Sequence, residues 1–177
     1  MSEKDKIFGS KVKWVGVSNW RALYKFCYDW LMDETGLNWL QEEKYEETLK
    51  GNQKDIDVKW VGPKKLTDYF RIWIEVKFEV RNLEEVEINK DGKKTKANNG
   101  RFKITVDGYL ERDYQGKFER SAFEKFLRSV YERWVIPSRI DQFEEKIFKE
   151  CDEFLNQAKA FMTIEGQHEF REPTVKE

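Results

Sequence analysis

DYFRIWIEVKFEV, residues 68–80, alternates almost without a break. Phe70, Ile72, Ile74, Val76, Phe78 and Val80 fall on one side; Tyr69, Arg71, Trp73, Glu75, Lys77 and Glu79 fall on the other. A period of two is the mark of a strand with one face in the core and one in water. At ~3.3 Å per residue the segment reaches about 43 Å, long enough that curvature or a bulge is expected. Its wet row holds a Trp and a Tyr among charges, so that face needs an explanation of its own.

The same pattern recurs in RFKITVDGYLERD, residues 101–113, with Phe102, Ile104, Val106 and Leu110 in the apolar row. Gly108 stands in that row without a side chain, which marks a bend over the core. DIDVKWVG, residues 55–62, is a third strand, and Gly62-Pro63 is expected to end it. KVKWVGV, residues 11–17, reads as a short strand. WLQEEKYEETLKG, residues 39–51, alternates weakly and is rich in glutamate, as an edge strand tolerates. Asn82-Leu83 breaks the pattern of the quoted strand, and EVEI, residues 85–88, reads as a separate short strand. KDGK, residues 90–93, supplies a hairpin turn, and Asn98-Asn99-Gly100 reads as another turn.

Three segments switch to a period of 3.6. After Ser18 or Asn19 as cap, Trp20, Leu23, Cys27, Trp30 and Leu31 share one helical face, and Gly36 marks the exit. Ser121 and Glu124 form an S-x-x-E capping box ahead of Phe123, Phe126, Leu127, Val130, Tyr131 and Trp134. Pro137 stops that helix. Ser138 is the expected cap of a final helix reaching about Met162, with Ile140, Phe143, Ile147, Cys151, Phe154, Ala158 and Phe161 along one stripe.

Strands followed by helices, each strand with one oily and one charged row, define an α+β fold. The expectation is a curved antiparallel sheet of five to six strands, one face covered by an N-terminal helix and two C-terminal helices. No linker or repeat divides the 177 residues, so the chain reads as a single domain, with a folded body over 7–164 and flexible termini over 1–6 and 167–177. In element order alone, a curved sheet closed by a long C-terminal helix resembles the helix-grip architecture of START-like lipid-binding domains. The helix over 122–136 departs from that pattern. The resemblance implies an apolar cavity, which Phe70, Ile72, Ile74, Phe102, Ile104, Phe154 and Phe161 would line.

Composition narrows function. The chain carries 33 Lys and Arg against 34 Asp and Glu, a balance unlike the basic surfaces of nucleic-acid-binding domains. A single histidine, His168, lies in the polar tail, which leaves no material for a triad or a His-metal site. Cys27 and Cys151 fall mid-helix on apolar stripes and read as packed, reduced thiols. No phosphate-binding glycine loop and no CxxC is present. No signal sequence or membrane span is apparent, so a soluble, cytoplasmic protein is expected. Paired carboxylates abound, and only Glu75 and Asp107, on neighbouring wet rows, invite the thought of an acid–base pair.

The wet sheet face is therefore the candidate site. Tyr69, Arg71, Trp73, Arg101, Lys103 and Tyr109 combine aromatic rings with cations, as protein interfaces and base-stacking sheets do. Cross-strand shielding of Trp73 by Tyr109 and pairing of opposite charges explain the same residues without a partner. The expectation is a non-enzymatic protein–protein interaction module, a homo-oligomer with the homodimer among its forms, needing no cofactor and no metal. An apolar small-molecule carrier is the alternative, and a single-stranded nucleic-acid binder, which the acidic residues disfavour, the third.

Overall fold

The computed structural model describes residues 3–90, 93–118 and 121–167. Five strands and three helices follow one another as β1 (Glu3–Ser18), α1 (Trp20–Asp33), β2 (Gln41–Lys50), β3 (Gln53–Lys65), β4 (Phe70–Lys90), β5 (Lys93–Arg112), α2 (Ala122–Trp134) and α3 (Pro137–Gln167). The strands form one open antiparallel sheet in the order β1-β5-β4-β3-β2. This is the α+β curved sheet that the alternation implies. The tail from His168 onward and Asp91-Gly92, where a hairpin turn is expected, lie outside the described residues.

The strands are longer than local composition suggests. β4 and β5 face each other from Phe70↔Arg112 to Lys90↔Lys93. Asn82-Leu83 does not end β4; it forms a bulge between Arg81 and Glu84, with Asn82 at φ 54°. The bulge is answered across the sheet, where β3 bulges at Asp55 and its carboxylate accepts the Asn82 N–H at 2.9 Å. Asn98-Asn99-Gly100 is likewise not a turn, because these residues pair with both Glu84–Glu85 on β4 and Gly16–Ser18 on β1. β1 begins at Glu3, which pairs with Arg112, so residues 3–6 belong to the sheet. β3 runs on through Gly62-Pro63, since Pro63 pairs with Trp73 while its carbonyl accepts the Asn38 N–H. β2 has already ended at that level, and a proline fits where no ladder donor is needed.

The inner rows of β3, β4 and β5 make the floor of one core. α1 covers it with Trp20, Leu23, Cys27 and Leu31, and α3 with Ile147, Cys151, Phe154, Leu155, Ala158 and Met162, all buried. Asn19 caps α1 by accepting the Ala22 N–H at 3.1 Å. Pro137 opens α3 at its first position, so Ser138 is inside the helix rather than its cap; the fixed proline φ suits a first turn whose N–H groups have no helical acceptor. Gly108 earns its place by proximity. A Cβ there would stand 2.6 Å from Ile147 Cγ2 and 2.9 Å from Cys151 Sγ, so the missing side chain lets α3 lie directly on β5.

α2 takes a different position. It contributes no buried residue, although its capping box at Ser121 and Glu124 is fully formed. It is held at the end of the sheet where β4 begins and β5 stops. There Glu132 accepts from Arg112 at 3.1 Å and from the Tyr69 hydroxyl. Phe118 stacks on Tyr131, their rings inclined by 19°. Asp113, buried at φ 47°, accepts the Lys117 and Phe118 N–H groups and so shapes the loop that brings Phe118 there.

Candidate functional site

The outer sheet face holds five of the six residues expected to form a contact surface. Arg71, Trp73, Arg101, Lys103 and Tyr109 lie in adjoining rows of β4 and β5, with Trp73 directly opposite Tyr109. Arg101 is eight residues from Tyr109 along β5, roughly 27 Å away, so the five form a strip rather than one pocket. Tyr69 is elsewhere. It precedes β4, turns to α2, and packs its ring against Phe70, Phe118 and Tyr131.

Around Trp73 the face is already engaged. The indole N–H donates to Glu111, which also accepts Arg71 Nε at 2.7 Å. Lys4 Nζ sits 4.8 Å from the Trp73 ring centroid and 4.4 Å from that of Tyr109, and Arg71 stacks over Trp73 at 4.9 Å. Trp39 closes the far side edge-on. Glu75 and Asp107 are opposite each other, as their rows imply. Lys6 reaches Asp107 at 2.7 Å and Lys77 reaches it at 3.8 Å, while Glu75 lies 3.4 Å from Lys4 and 3.9 Å from Lys59. Four lysines thus surround two carboxylates, an ion ladder rather than an acid–base pair. Lys103 continues it with Glu79, and Arg81 with Asp57. Each such contact is worth a few tenths of a kcal/mol to ~1 kcal/mol on a sheet surface.

The residues expected to line an apolar cavity sit in the core. Phe70, Ile72, Ile74, Phe102, Ile104 and Phe154 are at most 2% exposed and belong to one packed cluster. Phe161 stacks on Phe26 with ring centroids 4.9 Å apart. A cleft of about 630 Å³ opens in another place, between α1, β2 and the inner face of β4, and none of these seven residues borders it. Among the described residues no three His, Cys, Asp or Glu side chains gather as a metal ion requires, and no helix is long and apolar enough to cross a membrane.

The surface that sequence reasoning missed is α2. Phe123, Phe126, Leu127, Val130, Tyr131, Trp134 and Val135 are 36–74% exposed, Trp134 most of all. The stripe that reads as a core-facing surface is turned to solvent. The helix is oriented instead by its polar back: Glu132 gathers Tyr69, Arg112 and Arg128, and burial, which by itself would raise the Glu132 pKa, is outweighed by these donors, so the carboxyl stays below its ordinary range. Arg128 and Glu132 lie on the face opposite the stripe at i,i+4 spacing, as charges do on any amphipathic helix, and only the structure shows that both are just 12–14% exposed at the side chain.

Comparison with known protein families finds no model that matches the chain, and a search of curated proteins finds no match.

Proposed function

We propose that the chain is a protein-contact module that pairs with a second copy of itself through the apolar face of α2. One observation carries the reading: a well-capped amphipathic helix is fixed to the body by its charged back while its apolar stripe points outward. Aromatic side chains present roughly 200 Å² each, so at these exposures the stripe offers on the order of 700 Å². That exceeds the ~300–600 Å² of the largest patch on a typical monomer. It is close to the ~800 Å² that each partner gives to a standard interface. Trp and Tyr are the usual anchors of such contacts, and a two-fold pairing of one face with its own copy is the commonest way to close an assembly.

In this reading the chain is not an enzyme and holds no cofactor. Its two cysteines, both buried and unbridged, suit a reducing, cytoplasmic setting. Sedimentation at high soluble concentration tests the pairing. The expected mass is twice the 21.4 kDa of the chain. Phe126→Asp with Trp134→Asp returns it to the single-chain mass without loss of helical signal. Val130 lies near the middle of the stripe, so Val130→Cys is expected to give an oxidised, cross-linked dimer. A single-chain mass at every concentration, or a dimer that ignores both substitutions, overturns the proposal.

A further inference from the structure

The cleft beside α1 suggests a function separate from pairing. Its volume of about 630 Å³ lies within the ~300–1,000 Å³ usual for small-molecule sites. Trp20 and Tyr24 from α1 and Tyr45 from β2 border it. The Tyr24 ring stands 5.6 Å from Trp20 at 63° and 6.4 Å from Tyr45 at 82°. Rings set so steeply to one another address a shared space from different directions. They are also fixed in advance. The Trp60 indole donates to the Tyr24 hydroxyl at 3.3 Å, and that hydroxyl donates to Glu42. Tyr45 donates to Glu47 at 2.6 Å.

Charge completes the picture. Glu42, Glu47 and Glu85 border the cleft against Arg21 and Lys54, and Lys54 already faces Glu47 at 3.3 Å. Burial first, and then the neighbouring glutamates, push both Tyr24 and Tyr45 up to about 12. Aromatic rings held at steep angles inside a carboxylate rim attract a cation through the ring quadrupole and through direct charge. The three carboxylates outnumber the two cations of the lining, Arg21 and Lys54, so the cleft favours a cation over an anion.

We infer that the cleft bordered by Trp20, Tyr24, Tyr45, Glu42 and Glu47 binds an alkylammonium group. The group belongs to a small organic cation or to a methylated lysine on another protein, and the two sources can be told apart. The test is calorimetric titration of the full chain with choline and with 3,3-dimethylbutan-1-ol, which has the same shape but carbon in place of the charged nitrogen. Choline is expected to bind at least about tenfold more tightly, as a desolvated cation–π contact implies. Tyr45→Ala and Glu42→Gln should each weaken it severalfold, while Tyr45→Phe, which keeps the ring, should not. Tyr45 is 46% exposed, so its replacement leaves the core intact. A trimethyl-lysine peptide that outcompetes choline assigns the group to a protein tail and supports the inference. Equal binding of the neutral isostere, indifference to Tyr45→Ala, or no heat with either probe overturns it.

Discussion

Gly108 shows how much one absent side chain settles. Its row is otherwise Phe102, Ile104, Val106 and Leu110, so the sequence exposes a gap but not what fills it. The occupant is α3, at a distance that even a methyl group would close. Gly108→Ala is therefore expected to destabilise by about 1–3 kcal/mol, as overpacking does. Ile147→Ala removes the nearer obstacle, at a cost of its own of ~2–5 kcal/mol. In the double variant the two losses should add to less than their sum, and denaturant titrations of the four chains measure that coupling directly. Full additivity would mean that β5 yields instead of α3. Cys151 is the other side of the same contact. Burial, then the charges of Glu150 and Asp107, lift its thiol to about 12, and burial lifts Cys27 higher still. Thiolate is the reactive form, so neither cysteine should react with a thiol reagent near pH 8 in the folded chain. Both should react in denaturant; labelling kinetics followed by mass would reveal an exception.

Among the elements, α2 depends most on a single carboxylate. Glu132 joins the helix to Tyr69 on one side and to Arg112 on the other, and its folded pKa lies below the 4.5 of an unstructured glutamate. A depressed carboxyl stabilises fully above that unfolded value, and the contribution fades as pH falls through the lower, folded one. α2 should therefore loosen in acid before the core unfolds. Hydrogen exchange would show its amides losing protection below about pH 4.5 while those of β4 and β5 keep theirs. Glu132→Gln should bring the same loosening to neutral pH. Uniform protection across all elements at low pH would show that ring stacking on Phe118 suffices to hold the helix. The helix itself is legible in the sequence from its cap and spacing; its outward orientation is not, because a 3.6 period gives the angle between residues and not the direction of the core. The sheet departs from its local turn signals for a related reason. Asn82-Leu83, Asn98-Asn99-Gly100 and Gly62-Pro63 all have turn chemistry, yet each continues a strand. Local preference at those points is outweighed by ladders on one or both sides, and a bulge at Asp55 accepts the N–H that the Asn82 bulge exposes. Where alternation was strong, over 70–80 and 101–110, the inner rows of the strands match it residue by residue.

At the scale of the whole molecule the outer sheet face and α2 both carry aromatics outside the core, and they differ in what already satisfies them. On the outer sheet face, Trp73 is half-buried between Lys4, Arg71, Trp39 and Glu111, and the lysines around it each meet a carboxylate. To bind a partner there, the chain would have to strip water from a nearly closed set of ion pairs, which returns little net energy. On α2 only Tyr131 of the apolar stripe is packed, against Phe118 and Tyr69, so covering the rest yields apolar burial at ~25 cal/mol per Å² before the costs of association. This contrast predicts which face controls the mass in solution. Trp73→Ala combined with Tyr109→Ala should lower thermal stability, because the cation–π and indole contacts go, and should leave the mass unchanged. Phe126→Asp with Trp134→Asp should do the reverse, halving the mass and leaving the single-chain fold nearly as stable, since neither residue is buried within one chain. Salt gives a second reading of the same difference. The ion ladder weakens as the Debye length falls to ~3 Å at 1 M, whereas an apolar contact does not. Raised salt should therefore leave the dimer intact or tighten it. A dimer that dissociates in salt and survives the α2 substitutions would place the contact on the sheet.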